Sequence, residues 1–177
     1  NINLNAEEFN ITANEILIDK ENEILTATGS VQAIDTDGRI VNADRIIYEK
    51  SKEFLLAEGN VKIQDIEGNI LLTSKATYDK INEFIHTFNE TELILKEGYN
   101  LKAKNILYNI EKKLLSSNKS SIFKDNDGNS IETTMFQYDI NENLFSSLGK
   151  IKVIDVKKNK YFFKEIYVDT KKKEIIG

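Results

Sequence analysis

Few side chains in this 177-residue chain are arranged for chemistry. The run Asp125-Asn126-Asp127-Gly128-Asn129 alternates oxygen ligands as a calcium loop does, yet glycine stands at its fourth place and Phe136 occupies the position that needs a bidentate glutamate. A turn is the expected structure. His86 is the one histidine and cysteine is absent, which excludes multi-histidine and thiolate metal centres, disulfides and cysteine nucleophiles. No glycine-rich phosphate loop, nucleophile elbow or paired-carboxylate motif occurs, so neither a catalytic residue, a metal nor a cofactor is expected. What remains is an evenly spaced set of phenols, Tyr48, Tyr78, Tyr108 and Tyr138. They could touch sugar or phosphate groups at the mouth of a groove, but a cross-strand aromatic ladder is the preferred reading. The acidic residues that follow, Asp19, Glu49, Asp79, Asp139 and Asp169, read as solvated turns.

That even spacing extends to the whole chain. A 30-residue period aligns Ile18, Tyr48, Tyr78, Tyr108, Tyr138 and Val168, and two residues earlier Ile16, Ile46, Ala76, Ile106, Phe136 and Ile166. Further columns hold Ile11, Val41, Leu71, Leu101, Ile131 and Tyr161, and Leu25, Leu55, Ile85, Leu115, Phe145 and Ile175. Glycines keep the same beat at Gly38, Gly68, Gly98 and Gly128, and at Gly29, Gly59 and Gly149. Within a repeat, two segments rich in β-branched and aromatic residues alternate polar with apolar and are separated by polar turn clusters, so each repeat is expected to be one antiparallel hairpin.

Strands of 11 to 12 residues would reach about 40 Å, too long to stay flat. They are expected to bend at the Gly29/Gly59 column and again near Ala43 to Arg45, where the apolar parity shifts. Bending every strand at one height folds the meander over. The expected fold is all-β, an antiparallel twisted β-jelly-roll of two facing sheets with an apolar trough between them. A parallel β-helix, one rung per repeat, serving as an adhesin or scaffold with a packed interior, is the alternative.

Composition narrows the partners. The formal net charge is −5 and the pI about 5.1, against the basic surface that nucleic acids demand. No apolar run approaches the roughly 20 residues of a membrane helix. Residues 1–177 read as one domain that begins in mid-repeat, as a piece of a longer chain would.

Ala43-Asp44-Arg45-Ile46-Ile47-Tyr48 followed by Ala57-Glu58-Gly59-Asn60-Val61 resembles the repeated A-D-x-x-x-Y … A-x-G-N-V pattern of the OstA-like periplasmic domains of lipopolysaccharide transport. Thr28-Gly29-Ser30-Val31, Ala103 to Tyr108 and Leu148-Gly149-Lys150-Ile151 are weaker copies, so the resemblance covers nearly the whole chain. The family includes the periplasmic bridge LptA, the anchored LptC and the N-terminal domain of LptD. The ending Tyr167 to Gly177 is most similar to the region leading into the LptD barrel, although the cysteines common near the LptD N-terminus are missing. The resemblance implies a jelly-roll at the outer membrane of a Gram-negative periplasm that carries lipid A acyl chains. It implies three partners: lipopolysaccharide, an LptA-like bridge joined by edge-strand addition, and an outer-membrane barrel in the same chain.

A carrier of acyl chains needs an uncharged lining. Alternation and the bends nominate Val41, Ala43, Ile46, Leu55, Ala57, Val61, Ile63, Leu71, Ala76, Ile85, Leu101, Ala103, Ile106, Leu115, Ile131, Phe136, Phe145, Ile151 and Val153. The alanines are expected to leave room for lipid, with ordinary core packing as the competing reading. For the edges that meet a partner, Ile2, Leu4, Phe9 and Ile11 are nominated at one end and Tyr161, Phe163, Ile166 and Val168 at the other.

Overall fold

The computed structural model describes residues 1–6 and 8–176; Glu7 and Gly177, the end of the C-terminal run compared above, lie outside the described residues. Its strands are β1 (Ile2–Ala6), β2 (Phe9–Ala13), β3 (Glu15–Asp19), β4 (Ile24–Asp35), β5 (Ile40–Glu49), β6 (Phe54–Gln64), β7 (Ile70–Asp79), β8 (Phe84–Ile94), β9 (Asn100–Lys104), β10 (Leu107–Asn109), β11 (Leu114–Ser117), β12 (Ser121–Lys124), β13 (Ser130–Thr133), β14 (Phe136–Asp139), β15 (Leu144–Ile154), β16 (Lys160–Asp169) and β17 (Glu174–Ile176). Among the described residues the one helical element is a 3-10 turn, Lys50–Lys52.

Every pairing is antiparallel, which removes the parallel β-helix. The 30-residue period is two strands. Each long strand slips register once, between Thr28 and Val31, Asn42 and Arg45, Glu58 and Val61, Thr73 and Lys75, and Leu148 and Ile151. These slips align into a crease that divides the sheet into two walls. On one side the pairing order is β1-β2-β4-β5-β6-β7-β8-β9-β12-β13-β15-β16, here the lower wall. On the other it is β3-β4-β5-β6-β7-β8-β10-β11-β14-β15-β16-β17, the upper wall. The crease falls where the glycine column and the parity shift place it. At Gly59-Asn60 both residues have left-handed backbones, φ 76° and 46°, a two-residue corner that an ordinary β conformation cannot turn.

Alternation puts one face of each strand inside, and the inner faces of the two walls pack on each other. The Phe9 ring of the lower wall meets Tyr48 and Tyr78 of the upper wall edge-on at 5.1 and 5.5 Å, and Phe123 stacks on Phe145 at 4.3 Å. One continuous apolar core results. Each large side chain in it contributes roughly 1.5–3 kcal/mol.

The crease changes character along the chain. Its inner column reads Ala27, Ala57, then Thr87, Ser117, Ser147, all buried. The hydroxyls appear where the chain parts at the crease instead of bulging, between β9 and β10, β11 and β12, and β13 and β14. They bind backbone groups there: Thr87 Oγ1 accepts from the Ile106 N–H at 3.0 Å, and Ser117 Oγ donates to the Lys104 carbonyl at 2.6 Å. Thr87→Val keeps the shape but leaves the Ile106 N–H without its acceptor and removes the 2.7 Å bond that the Thr91 hydroxyl donates, for which Thr73 Oγ1 at 3.2 Å is the longer replacement. The expected loss is about 1–3 kcal/mol, read as a melting temperature lower by about 2–4 °C per kcal/mol.

Candidate functional site

The free rims of the walls are rows of turns. Lower-wall turns 65–69, 125–129 and 155–159 share one design: the first aspartate's Oδ1 accepts from the fifth residue's N–H, and its Oδ2 accepts from the fifth residue's Asn side chain. That settles Asp125-Asn126-Asp127-Gly128-Asn129 as a turn, because the Asp125 carboxylate is occupied by its own loop. Asn69 and Asn129 also accept, through Oδ1, from the backbone N–H of Lys96 and Val156 in the next turn, stitching the rim lengthwise.

The first lower-wall turn, 35–39, departs from this design. Arg39 takes the asparagine's place, and its Nη1 lies 2.6 Å from Asp35 Oδ2 and donates to Tyr78 Oη at 2.7 Å, while Tyr78 donates to the same Asp35 oxygen at 2.8 Å. Asp35 and Arg39 are buried, and Tyr78 reaches them from the upper wall. Burial pushes the Tyr78 phenol well above its usual range, so it remains a neutral donor. In the third repeat the same two columns hold Leu95 and Tyr99, both buried, with Tyr99 stacked on Phe123 at 5.0 Å.

Two ion pairs cross from rim to rim beside this cluster. Lys80 of the upper rim lies 3.0 Å from Asp37 of the lower, and Lys113 of the upper lies 3.4 Å from Glu67 of the lower. Lys96, 2.8 Å away on the same rim, is the main group that holds the Glu67 carboxyl below its ordinary range.

The interior is narrow. Between Arg39, Leu71, Leu93 and Leu115 a cavity of about 20 Å³ remains, room for one water. Towards the C-terminal end a cavity of about 130 Å³ opens among Tyr99, Phe123, Val153, Val168 and Ile175; at the N-terminal end an open cleft of about 270 Å³ lies among Leu4, Ala6, Ile18, Leu25 and Tyr48. The widest hollow, about 800 Å³, is a shallow one that spreads over the outward residues Lys102, Ile122, Lys152 and Phe162. Among the described residues no cluster of His, Cys, Asp or Glu could hold a metal.

All nineteen nominated lining residues are buried in the one core. The four nominated alanines are buried beside the crease: Ala57 pairs directly with Ala76, and Ala43 and Ala103 adjoin the register slips and breaks. The tyrosines do not form a ladder. Tyr48, Leu55, Tyr78, Ile85, Tyr108, Leu115 and Tyr138 follow one another across the upper wall, so each phenol is two strands, about 9.5 Å, from the next. Two of the hydroxyls reach the rims: Tyr78 binds Asp35, and Tyr138 pairs with Thr170 at 3.2 Å, with burial pushing the Tyr138 phenol up to about 12.

The model of the OstA-like protein family matches residues 1–128. The chain belongs to the OstA-like family. No curated protein sequence matches it. Among solved structures, this OstA-like chain is similar to LptH of Pseudomonas aeruginosa, described as the LptA-homologous periplasmic component of the lipopolysaccharide transport device, at 11% identity and TM-score 0.28 over 74% of this chain and 75% of that one. It is also similar to the TCP10 domain of Danio rerio CPAP in complex with a STIL peptide, at 9% identity and TM-score 0.18 over 92% and 98%. At TM-scores this low neither likeness bears on fold or function.

The nominated edge residues of this OstA-like chain divide. Ile2 and Leu4 lie on β1, whose pairing is with β2, and Tyr161 and Phe163 lie on the part of β16 that pairs with β15. Phe9, Ile11, Ile166 and Val168 are instead buried core residues: β2 is paired on both flanks by β1 and β4, and the second part of β16 by β15 and β17. A repeat count locates the ends of the chain but not which strand of each wall is last. His86 sits half-buried on the outer face against Phe88. The Arg39 cluster was missed, though Arg39 is conspicuous in a column otherwise filled by Asn69, Tyr99, Asn129 and Asn159.

Proposed function

We propose that the chain is a periplasmic conduit module for lipopolysaccharide in a Gram-negative bacterium, with no catalytic step. In this reading the walls form an open, twisted jelly-roll, acyl chains pass between them, and the free strands at each end join an LptA-like domain or continue toward an outer-membrane barrel. The observation that carries it is the lining: buried apolar columns run through the repeats, and the buried ion pair Asp35–Arg39 sits at the rim. Membership of the OstA-like family supports the same reading. The cavities between the walls are smaller than the roughly 300–1,000 Å³ of ordinary ligand sites, so loading requires the walls to part. That exchange is energetically mild, because side-chain contacts are replaced by acyl contacts worth about 0.8 kcal/mol per buried CH₂.

A photo-crosslinking residue at Leu115, inward and near the rims, is expected to capture lipopolysaccharide, while the same group at Thr77 on the outer face does not. Protein with an unchanged far-UV circular dichroism spectrum that captures none at Leu115, or captures equally at both, overturns the reading.

A further inference from the structure

The rims are not held alike along their length. In the first two repeats they are fastened by Asp37–Lys80 and Glu67–Lys113, with the buried Asp35–Arg39–Tyr78 cluster behind them. In the next two repeats the lower rim still presents acids, Glu97 and Asp127, but at the offsets of 43 and 46 residues that give Asp37 its Lys80 and Glu67 its Lys113, Glu97 has Ile140 and Asn143, and Asp127 has Thr170 and a Lys173 not paired with it. Among the described residues neither Glu97 nor Asp127 makes an ion pair with the upper rim. The cavity of about 130 Å³ opens between these unfastened rims, bounded by Glu97 and Asp127 on one side and Lys173 on the other. Its depth is walled by the Tyr99–Phe123 stack, Ile131, Val153 and Val168. Open at a charged mouth and apolar in its depth, it is close to the size of a cavity that takes a benzene-sized group, enough to seat the leading end of an acyl chain.

We propose that an acyl amphiphile enters the trough sideways through this portal between the rims of the third and fourth repeats, and that Asp37–Lys80 and Glu67–Lys113 are a latch that keeps the neighbouring first two repeats shut. This deepens the conduit reading by naming where its ligand enters and what must release for it to move on. The latch is weak by construction. Asp37, Glu67 and Lys113 are open to solvent and only the Lys80 side chain is buried, so the pairs shift the balance of closed and open rims by several-fold, up to about tenfold, and lose force in salt.

The cysteine-free sequence makes the test direct. Spin labels at Ile66→Cys and Glu111→Cys bracket the latch, and labels at Asn126→Cys and Lys172→Cys bracket the portal. Double electron–electron resonance is expected to show a narrow distance distribution across the latch at low salt. That distribution should lengthen and broaden in a D37N/E67Q background or in about 1 M salt, where the Debye length is about 3 Å, while the portal distance stays unchanged. A latch distribution indifferent to both changes overturns the latch. Access is read with the neutral apolar dye N-phenyl-1-naphthylamine. Ile175→Lys, at an exposed portal position, is expected to slow uptake several-fold, and Ile18→Lys, at the exposed cleft of the N-terminal end, to leave it unchanged. No slowing by Ile175→Lys, or equal or greater slowing by Ile18→Lys, overturns the portal. Dye uptake through the portal together with absent lipopolysaccharide capture at Leu115 would sink the lipopolysaccharide reading and leave the portal standing.

Discussion

Gly59→Ala is expected to destabilise the fold by about 2–4 kcal/mol, lowering the urea midpoint without changing the slope of the transition. Two effects add at this one atom. The backbone of Gly59 has φ 76°, a conformation that costs an L-residue about 1–2 kcal/mol. A β-carbon there would also fall 2.3 Å from Asp44 Oδ2 and 2.9 Å from Asp44 Cβ. The oxygen could swing aside, at the expense of the 2.8 Å hydrogen bond it accepts from Asn60 Nδ2, but the Cβ belongs to the neighbouring strand and moves only with it. Gly68 separates the two effects, since it has φ 94° and nothing within 4 Å of an added β-carbon; Gly68→Ala should show the backbone strain alone. The chain itself supplies the rescue. In the third repeat Asn89, at φ 61°, stands in the Gly59 column, and the residue in the Asp44 column is the smaller Ser74. Gly59→Asn combined with Asp44→Ser is therefore expected to recover most of what either mismatch loses.

The same columns explain what could be read before any coordinates. Side chains repeating every 30 residues must face the same way, so the inward set from Val41 to Val153 was legible, and the parity change between Ala43 and Ile46 marked the crease. Column logic fails where a contact joins different repeats at an offset other than 30. Asp37 meets Lys80 at 43 residues and Glu67 meets Lys113 at 46, offsets set by the lean of one wall over the other. It fails too for size: a column of alanines has the same signature beside a void and in a crease.

Removing one member of the buried rim cluster tests how the walls are tied. Asp35→Ala is expected to cost about 3–5 kcal/mol, because Arg39 remains buried beside Tyr78 without its directly bonded carboxylate, its Nε already lacking a hydrogen-bond partner. Part of the loss is local, since Asp35 Oδ1 also accepts from the N–H groups of Asp37 and Arg39 at 2.9 and 2.8 Å. Tyr78→Phe keeps the ion pair but removes both the donor to Asp35 and the acceptor of Arg39 Nη1, so it should cost about 1.5–3 kcal/mol, less than Asp35→Ala. The informative variant is again one the chain already contains. Leu95 and Tyr99 fill the Asp35 and Arg39 columns in the third repeat with an apolar pair. Asp35→Leu with Arg39→Tyr replaces the buried charges by that pair and is expected to be far more stable than Asp35→Ala, as exchange of a buried ion pair for packed side chains often is. Chemical denaturation of Asp35→Leu, Arg39→Tyr and the double variant gives the coupling between positions 35 and 39. A coupling near zero would mean that the charges are solvated in the folded chain, and that turn 35–39 is held, like turns 65–69 and 125–129, by its own backbone hydrogen bonds.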